Sequence, residues 1–137
     1  LTKIFYLSKE IINNKVNDTT KFDVEAQIIK KNLELTINYC ENIPQGHFCQ
    51  IHFNGINSVE ITRWISGEYK NHLVIKNKKM TINNYVTLAG TTQLKTWGDD
   101  ISLNRLKDGS TVLKFIYDIF QSHDLINRHK VYLQIKG

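Results

Sequence analysis

Two cysteines and two histidines lie close together in this chain, at Cys40, His47, Cys49 and His52. They supply the residue types of a four-ligand zinc site. The strands that carry them argue against one. Leu35, Ile37 and Tyr39 alternate on one run, and Cys49, Ile51 and Phe53 alternate on the next. Both sets are buried together only when paired positions have an even index sum, such as Ile37 opposite Phe53, because a one-residue slip turns a whole set outward. In that register Cys49 and His47 face the core, while Cys40 and His52 face away, so the four cannot form a tetrahedron and no metal is expected. The same parity opposes a Cys40–Cys49 disulfide. A bulge near Pro44 would restore the pairing, so a bridge stays open, and it would imply an oxidising compartment.

Catalytic groupings are incomplete. Glu68 and Lys70 resemble the tail of a metal-dependent nuclease motif, but Ser66-Gly67 before them reads as a loop, and Glu60 has no neighbouring aspartate. Ser122, His123 and Asp124 have the residue types of a triad, yet adjacent positions seldom face one another and a triad is a matter of geometry. Asp99-Asp100, after Trp97-Gly98, reads as a turn rather than a cation site. No glycine-rich phosphate loop is present. The chain therefore reads as non-enzymatic and without a cofactor.

Binding is better served. Trp64, Tyr69, Trp97 and Tyr85 fall at strand ends or beside loops, where a flat ring can stack on a sugar or anchor a protein partner. Both tryptophans also suit a core. Arg63, Asn71, Asp99 and Asp100 stand nearby as hydrogen-bonding groups for a ligand.

Alternation of apolar residues dominates the elements that position these groups, the mark of half-buried strands. Phe22, Val24, Ala26 and Ile28 alternate before Lys30-Lys31-Asn32, and Leu33, Leu35, Ile37 and Tyr39 after it, predicting a hairpin with Ile28 opposite Leu33. Residues 42–46 form the next turn. Asn54-Gly55 signals another hairpin, Asn77-Lys78 joins two further strands, and Asp108-Gly109 separates 101–106 from 111–120. The last run is 130–136. Segments 3–12 and 111–120 fit a helix as well as a strand, the second leaning to strand through its β-branched and aromatic content. A short helical turn over 124–129 also stays open. Eight or nine short strands at this spacing are the signature of an all-β antiparallel sandwich or barrel, and the sandwich is the expectation, in one domain spanning residues 1–137.

Charge adds little. The net +5 comes from fifteen lysines and only three arginines, in a chain with eighteen isoleucines and fourteen asparagines. Arginine is the residue that reads phosphates and bases bidentately, so a solvated basic surface is favoured over nucleic-acid binding through Lys30, Lys31, Lys76, Lys78 and Lys79. No apolar run approaches the ~18 residues of a membrane helix. The first residue is Leu1 rather than methionine, as expected if a leader has been removed or if the numbering starts inside a longer chain, and the compartment depends on which. Asn17-Asp18-Thr19 is a glycosylation sequon of a kind that an Asn-rich chain produces by chance.

Two stretches resemble fimbrial subunits of the chaperone–usher class: Thr20 to Leu35, and Val112 to Asp118 followed by Lys130 to Gly137. The resemblance implies an incomplete immunoglobulin-like sandwich that accepts a strand from a partner subunit. Its acceptor groove would then be lined by Phe22, Val24, Val131, Leu133 and Ile135. It further implies a secreted or cell-surface adhesin or assembly module whose partners are other subunits, a host receptor or a glycan. The alternative is a cytoplasmic protein-binding module of the immunity or anti-defence kind.

Overall fold

The computed structural model describes residues 1–41, 47–65, 69–87 and 89–137, apart from the side chains of Ile65, Tyr69 and Thr87. Ten strands run through them: β1 (Thr2–Ile12), β2 (Lys15–Lys31), β3 (Glu34–Glu41), β4 (His47–Phe53), β5 (Ser58–Ile65), β6 (Tyr69–Lys76), β7 (Met80–Thr87), β8 (Gly90–Arg105), β9 (Thr111–Gln121) and β10 (Asp124–Ile135). No helix occurs among the described residues. Segments 3–12 and 111–120 are strands β1 and β9, and 124–129 opens β10. Each is paired on both sides, which settles a periodicity that the residues alone left ambiguous.

All ten strands belong to one antiparallel sheet in the order β6-β5-β4-β3-β2-β1-β10-β9-β8-β7. This corrects the expectation of a two-sheet immunoglobulin-like sandwich with eight or nine strands. Each hairpin extends the same sheet, and β1 pairs with β10 as well as with β2. The long β2 pairs with β1 over Lys15–Ala26 and with β3 over Gln27–Lys31. The sheet therefore rolls up until its two ends, β6 and β7, come together, and the result is a nearly closed barrel.

Closure is made by side chains. Residues 77–79 join β6 to β7 at the turn expected over Asn77-Lys78, but the two strands share no backbone ladder. Asn71 Nδ2 donates to Val86 O at 3.0 Å, and Val86 N donates to Asn71 Oδ1 at 2.8 Å. Val74 N donates to Asn83 Oδ1 at 3.0 Å, and the Thr81 hydroxyl donates to Val74 O. Asn83 Nδ2 also reaches Thr96 Oγ1 at 3.3 Å. Asn71, Asn83 and Thr96 are buried polar residues. The Asn71 and Asn83 amides and the Thr81 hydroxyl thus satisfy backbone groups that a splayed pair of strands would otherwise leave bare.

Cross-strand partners share a face, so the inner wall is built in rows. Leu35, Phe53, Val59 and Ile75 form one row across β3–β6, and Ile37, Ile51, Ile61 and Leu73 the next. On the other side Ser8, Val131, Phe115 and Ile101 align across β1, β10, β9 and β8. Leu35 rather than Ile37 faces Phe53, although the parity is as reasoned. In the β2–β3 hairpin Ile28 faces Ile37, not Leu33. The turn tightens onto Asn32, at φ 57°, and expels Leu33 to 70 % exposure.

The groove implied by the fimbrial resemblance does not form. Phe22 and Val24 face Tyr6 and Ile4, and Val131, Leu133 and Ile135 face Ser8, Tyr6 and Ile4. The chain's own β1 fills the place that a donated strand would take. The Cys40–Cys49 bridge does not form either. Both thiols are free, Cys40 exposed on the outer face and Cys49 buried within.

Candidate functional site

One row of the inner wall is polar. Tyr39, Cys49, Arg63 and Asn71 face one another across β3, β4, β5 and β6. They border a cavity of about 360 Å³ at one end of the barrel. From the facing strands come Tyr6, Tyr85, Phe115, Tyr117, Asn127 and His129, with Leu94, Gln121 and Ile126 toward the rim. Bulges at Glu10/Ile11 and Leu125/Asn127 lie near this end, a usual place for them in barrels, where they re-aim side chains.

Arg63 is held by the next row outward. Its Nε and Nη2 both donate to Glu41 Oε1, at 3.0 and 2.8 Å, while Glu41 Oε2 faces His47 Nδ1 at 3.9 Å. Burial disfavours the guanidinium charge, but Cys49 and the Glu41 carboxylate outweigh it and keep the pKa above the ordinary arginine value. Burial pushes the Cys49 thiol up, and likewise the phenols of Tyr6, Tyr39 and Tyr117. These groups are therefore neutral hydrogen-bonding groups at physiological pH. The Tyr117 ring stacks on His129, centroids 4.9 Å apart and 13° from parallel.

His129 is oriented through a short chain of bonds. Asn127 Nδ2 donates to Glu10 Oε2 at 2.9 Å, which fixes the amide, because a carboxylate only accepts. Asn127 Oδ1 then accepts from His129 Nε2 at 3.0 Å. The imidazole proton sits on Nε2 and leaves Nδ1 as an acceptor. Burial lowers the His129 pKa against the opposing pull of Glu10 and Asp118.

The residues singled out in the sequence separate into two groups. Arg63, Asn71 and Tyr85 line the cavity. Trp64 lies on the outer face, its ring 5.2 Å from Phe48 and beneath Lys70 Nζ at 5.6 Å. Trp97 faces outward beside Asp118. Asp99 and Asp100 do not make a turn. They continue β8 at a bulge, where Asp99 pairs with Lys78 at 3.0 Å and Arg128 at 3.4 Å. Glu68, Ser66-Gly67 and the 42–46 turn fall outside the described residues, as does the side chain of Tyr69. Glu60 pairs instead with His72 at 3.6 Å. Ser122 and His123 form the β9–β10 turn, Ser122 at φ 56°. Lys30, Lys31, Lys76, Lys78 and Lys79 flank the β2–β3 and β6–β7 turns, at the end away from the cavity.

Tyr6, Tyr39, Tyr117, His129 and the Glu41 support were not singled out as site residues. The signal was strand parity. Arg63 follows Val59 and Ile61 at two-residue steps, and His129 precedes Val131 and Leu133 in the same way, which places each on the inner face.

Fold and cavity together define a small antiparallel β-barrel with an internal pocket at one end. The chain belongs to the family described as "Domain of unknown function (DUF1934)", whose model matches residues 6–133. Among solved structures it is similar to the ywiB protein from Bacillus subtilis, with a TM-score of 0.76 at 14 % identity, over 98 % of this chain and 89 % of that one. At that identity the likeness is one of fold. No curated protein matches the sequence. These findings overturn the resemblance to chaperone–usher fimbrial subunits, and the adhesin and fimbrium reading with it.

Proposed function

We propose that this protein is a non-enzymatic binding module whose ligand is a small molecule held inside the barrel. The observation that carries the reading is the cavity of about 360 Å³ with its mixed lining. That volume lies at the small end of the range for ligand pockets, roughly 300–1,000 Å³. Phe115, Tyr6, Tyr39 and Tyr117 offer aromatic surface, and Arg63, Asn127 and His129 offer a few convergent polar groups. The Tyr117 hydroxyl has no hydrogen-bond partner among the described residues, although the residue is only 8 % exposed. An inward hydroxyl without a partner suits a guest that accepts or donates a bond. Binding is favoured over turnover because the Cys49 thiol is held protonated and neighbours Tyr39 and Arg63 rather than a histidine base.

The test is titration with the neutral fluorophore N-phenyl-1-naphthylamine. Saturable binding with one site, a blue-shifted emission and a raised melting temperature are expected. Leu94→Trp, which fills the cavity from its rim, should abolish that binding. Binding undiminished in L94W, or no saturable binding at all, would remove the reading.

A further inference from the structure

We infer that the ligand carries a single carboxylate and that this carboxylate docks on the open edge of the Arg63 guanidinium. The inference rests on the cavity reading above and adds the chemistry of the guest. A guanidinium offers a carboxylate two edges, one formed by Nε and Nη2 and one by Nη1 and Nη2. Glu41 occupies the first edge, through a single oxygen, Oε1. The second edge makes no ion pair among the described residues, and the guanidinium's other described neighbour is the neutral Cys49 thiol, a weak partner that a carboxylate would displace. Arg63 lines the cavity and keeps 34 % of its side chain exposed.

Charge points the same way. Among the described residues lining the cavity, Arg63 is the one carrying a formal charge at neutral pH, since burial holds His129 below its ordinary value. The wall opposite an incoming guest is therefore cationic at one point and aromatic around it. A monoanion matches one free edge of one cation. A dianionic phosphate would add a second negative charge beside a cation already shared with Glu41, and no further cation lines the cavity to meet it. The body of the guest packs against Phe115 and Tyr117, whose rings stand 6.1 Å apart.

The experiment compares 1-naphthoate with its neutral amide, 1-naphthamide, by calorimetry on the intact chain at pH 7. The carboxylate should bind at least about tenfold tighter, the scale of one charge-assisted contact. The preference should shrink toward unity in Arg63→Gln/Glu41→Gln, a double variant that leaves no lone buried charge. Equal or tighter binding of the amide overturns the inference, and so does failure of both while N-phenyl-1-naphthylamine still binds. Those two results leave the cavity reading standing. Absence of binding by all three compounds overturns both. The comparison in the unaltered protein holds whether or not the double variant folds.

Discussion

Asn71 treats Val86 as one peptide treats another. Its amide nitrogen donates to the Val86 carbonyl at 3.0 Å, and its amide oxygen accepts from the Val86 nitrogen at 2.8 Å. A side chain of β6 thus stands in for a stretch of strand, and two facing strands with no ladder between them still have their polar groups met.

Removing that amide should be costly. Asn71→Ala leaves both backbone groups of Val86 without partners, a loss of about 1–3 kcal/mol. Asn83→Ala should act similarly by stripping the partner from Val74 N. Urea unfolding would report the stability, and faster amide exchange at Val86 and Val74 would locate the damage. Wild-type protection at Val86 in N71A would contradict the role given to this seam.

Gly98 should tolerate no side chain. A Cβ there would lie 2.2 Å from the Lys76 carbonyl oxygen, a backbone atom with little freedom to retreat. Gly98 also accepts from Lys78 N at 2.7 Å and so ties β8 to the β6–β7 connection. Gly98→Ala should lower stability by about 1–3 kcal/mol, as overpacking does elsewhere. A melting temperature equal to that of the parent would show that the connection can shift aside.

His129 should leave a mark on the pH dependence of stability. Its folded pKa lies below the ordinary histidine value, chiefly through burial. The unfolded chain therefore takes up this proton first as pH falls below about 6.5. Stability associated with the neutral ring is present above that pH and is lost as pH drops through the lower folded value. The difference in unfolding free energy between the parent and His129→Gln, followed from pH 7.5 to 5, should shrink toward the acid side. A difference that does not vary with pH would mean that the ring titrates alike in both states.

The two thiols should differ sharply in reactivity. Cys40 is exposed, whereas Cys49 is 0 % exposed and its thiol is pushed up by burial. A thiolate is the reacting form, so a disulfide reagent should modify one thiol promptly under native conditions and the second only on unfolding. Cys40→Ser should abolish the prompt phase. Two prompt thiols would indicate that the barrel opens far more readily than its packing implies.

Strand parity carried most of what could be read from the residues. It placed Cys40 and Cys49 on opposite faces and gave all-β antiparallel architecture. It did not separate a sandwich from a barrel, because both bury one face of every strand and wet the other. That distinction rests on β1 pairing with β10 and on Asn71 and Asn83 reaching across to β7 and β6. Neither contact follows from local pattern. The same limit applied to the cavity. Arg63 and Asn71 were legible as polar residues next to strand ends, and counting back in twos to Val59 and Ile61 turns Arg63 inward. Their meeting with Tyr117 and His129 across the interior depends on how the sheet closes.

Strands joined by a backbone ladder stand about 4.8 Å apart. Where β6 meets β7, an asparagine side chain lies between the two backbones, so the gap there is wider than a ladder allows. A ring with a fixed number of staves and one broadened joint has a longer perimeter and encloses more space. Asn71 and Tyr85, from the two sides of that joint, both border the cavity. The room available to a guest is thus set in part by the reach of an amide that is itself one of the chamber's wall groups.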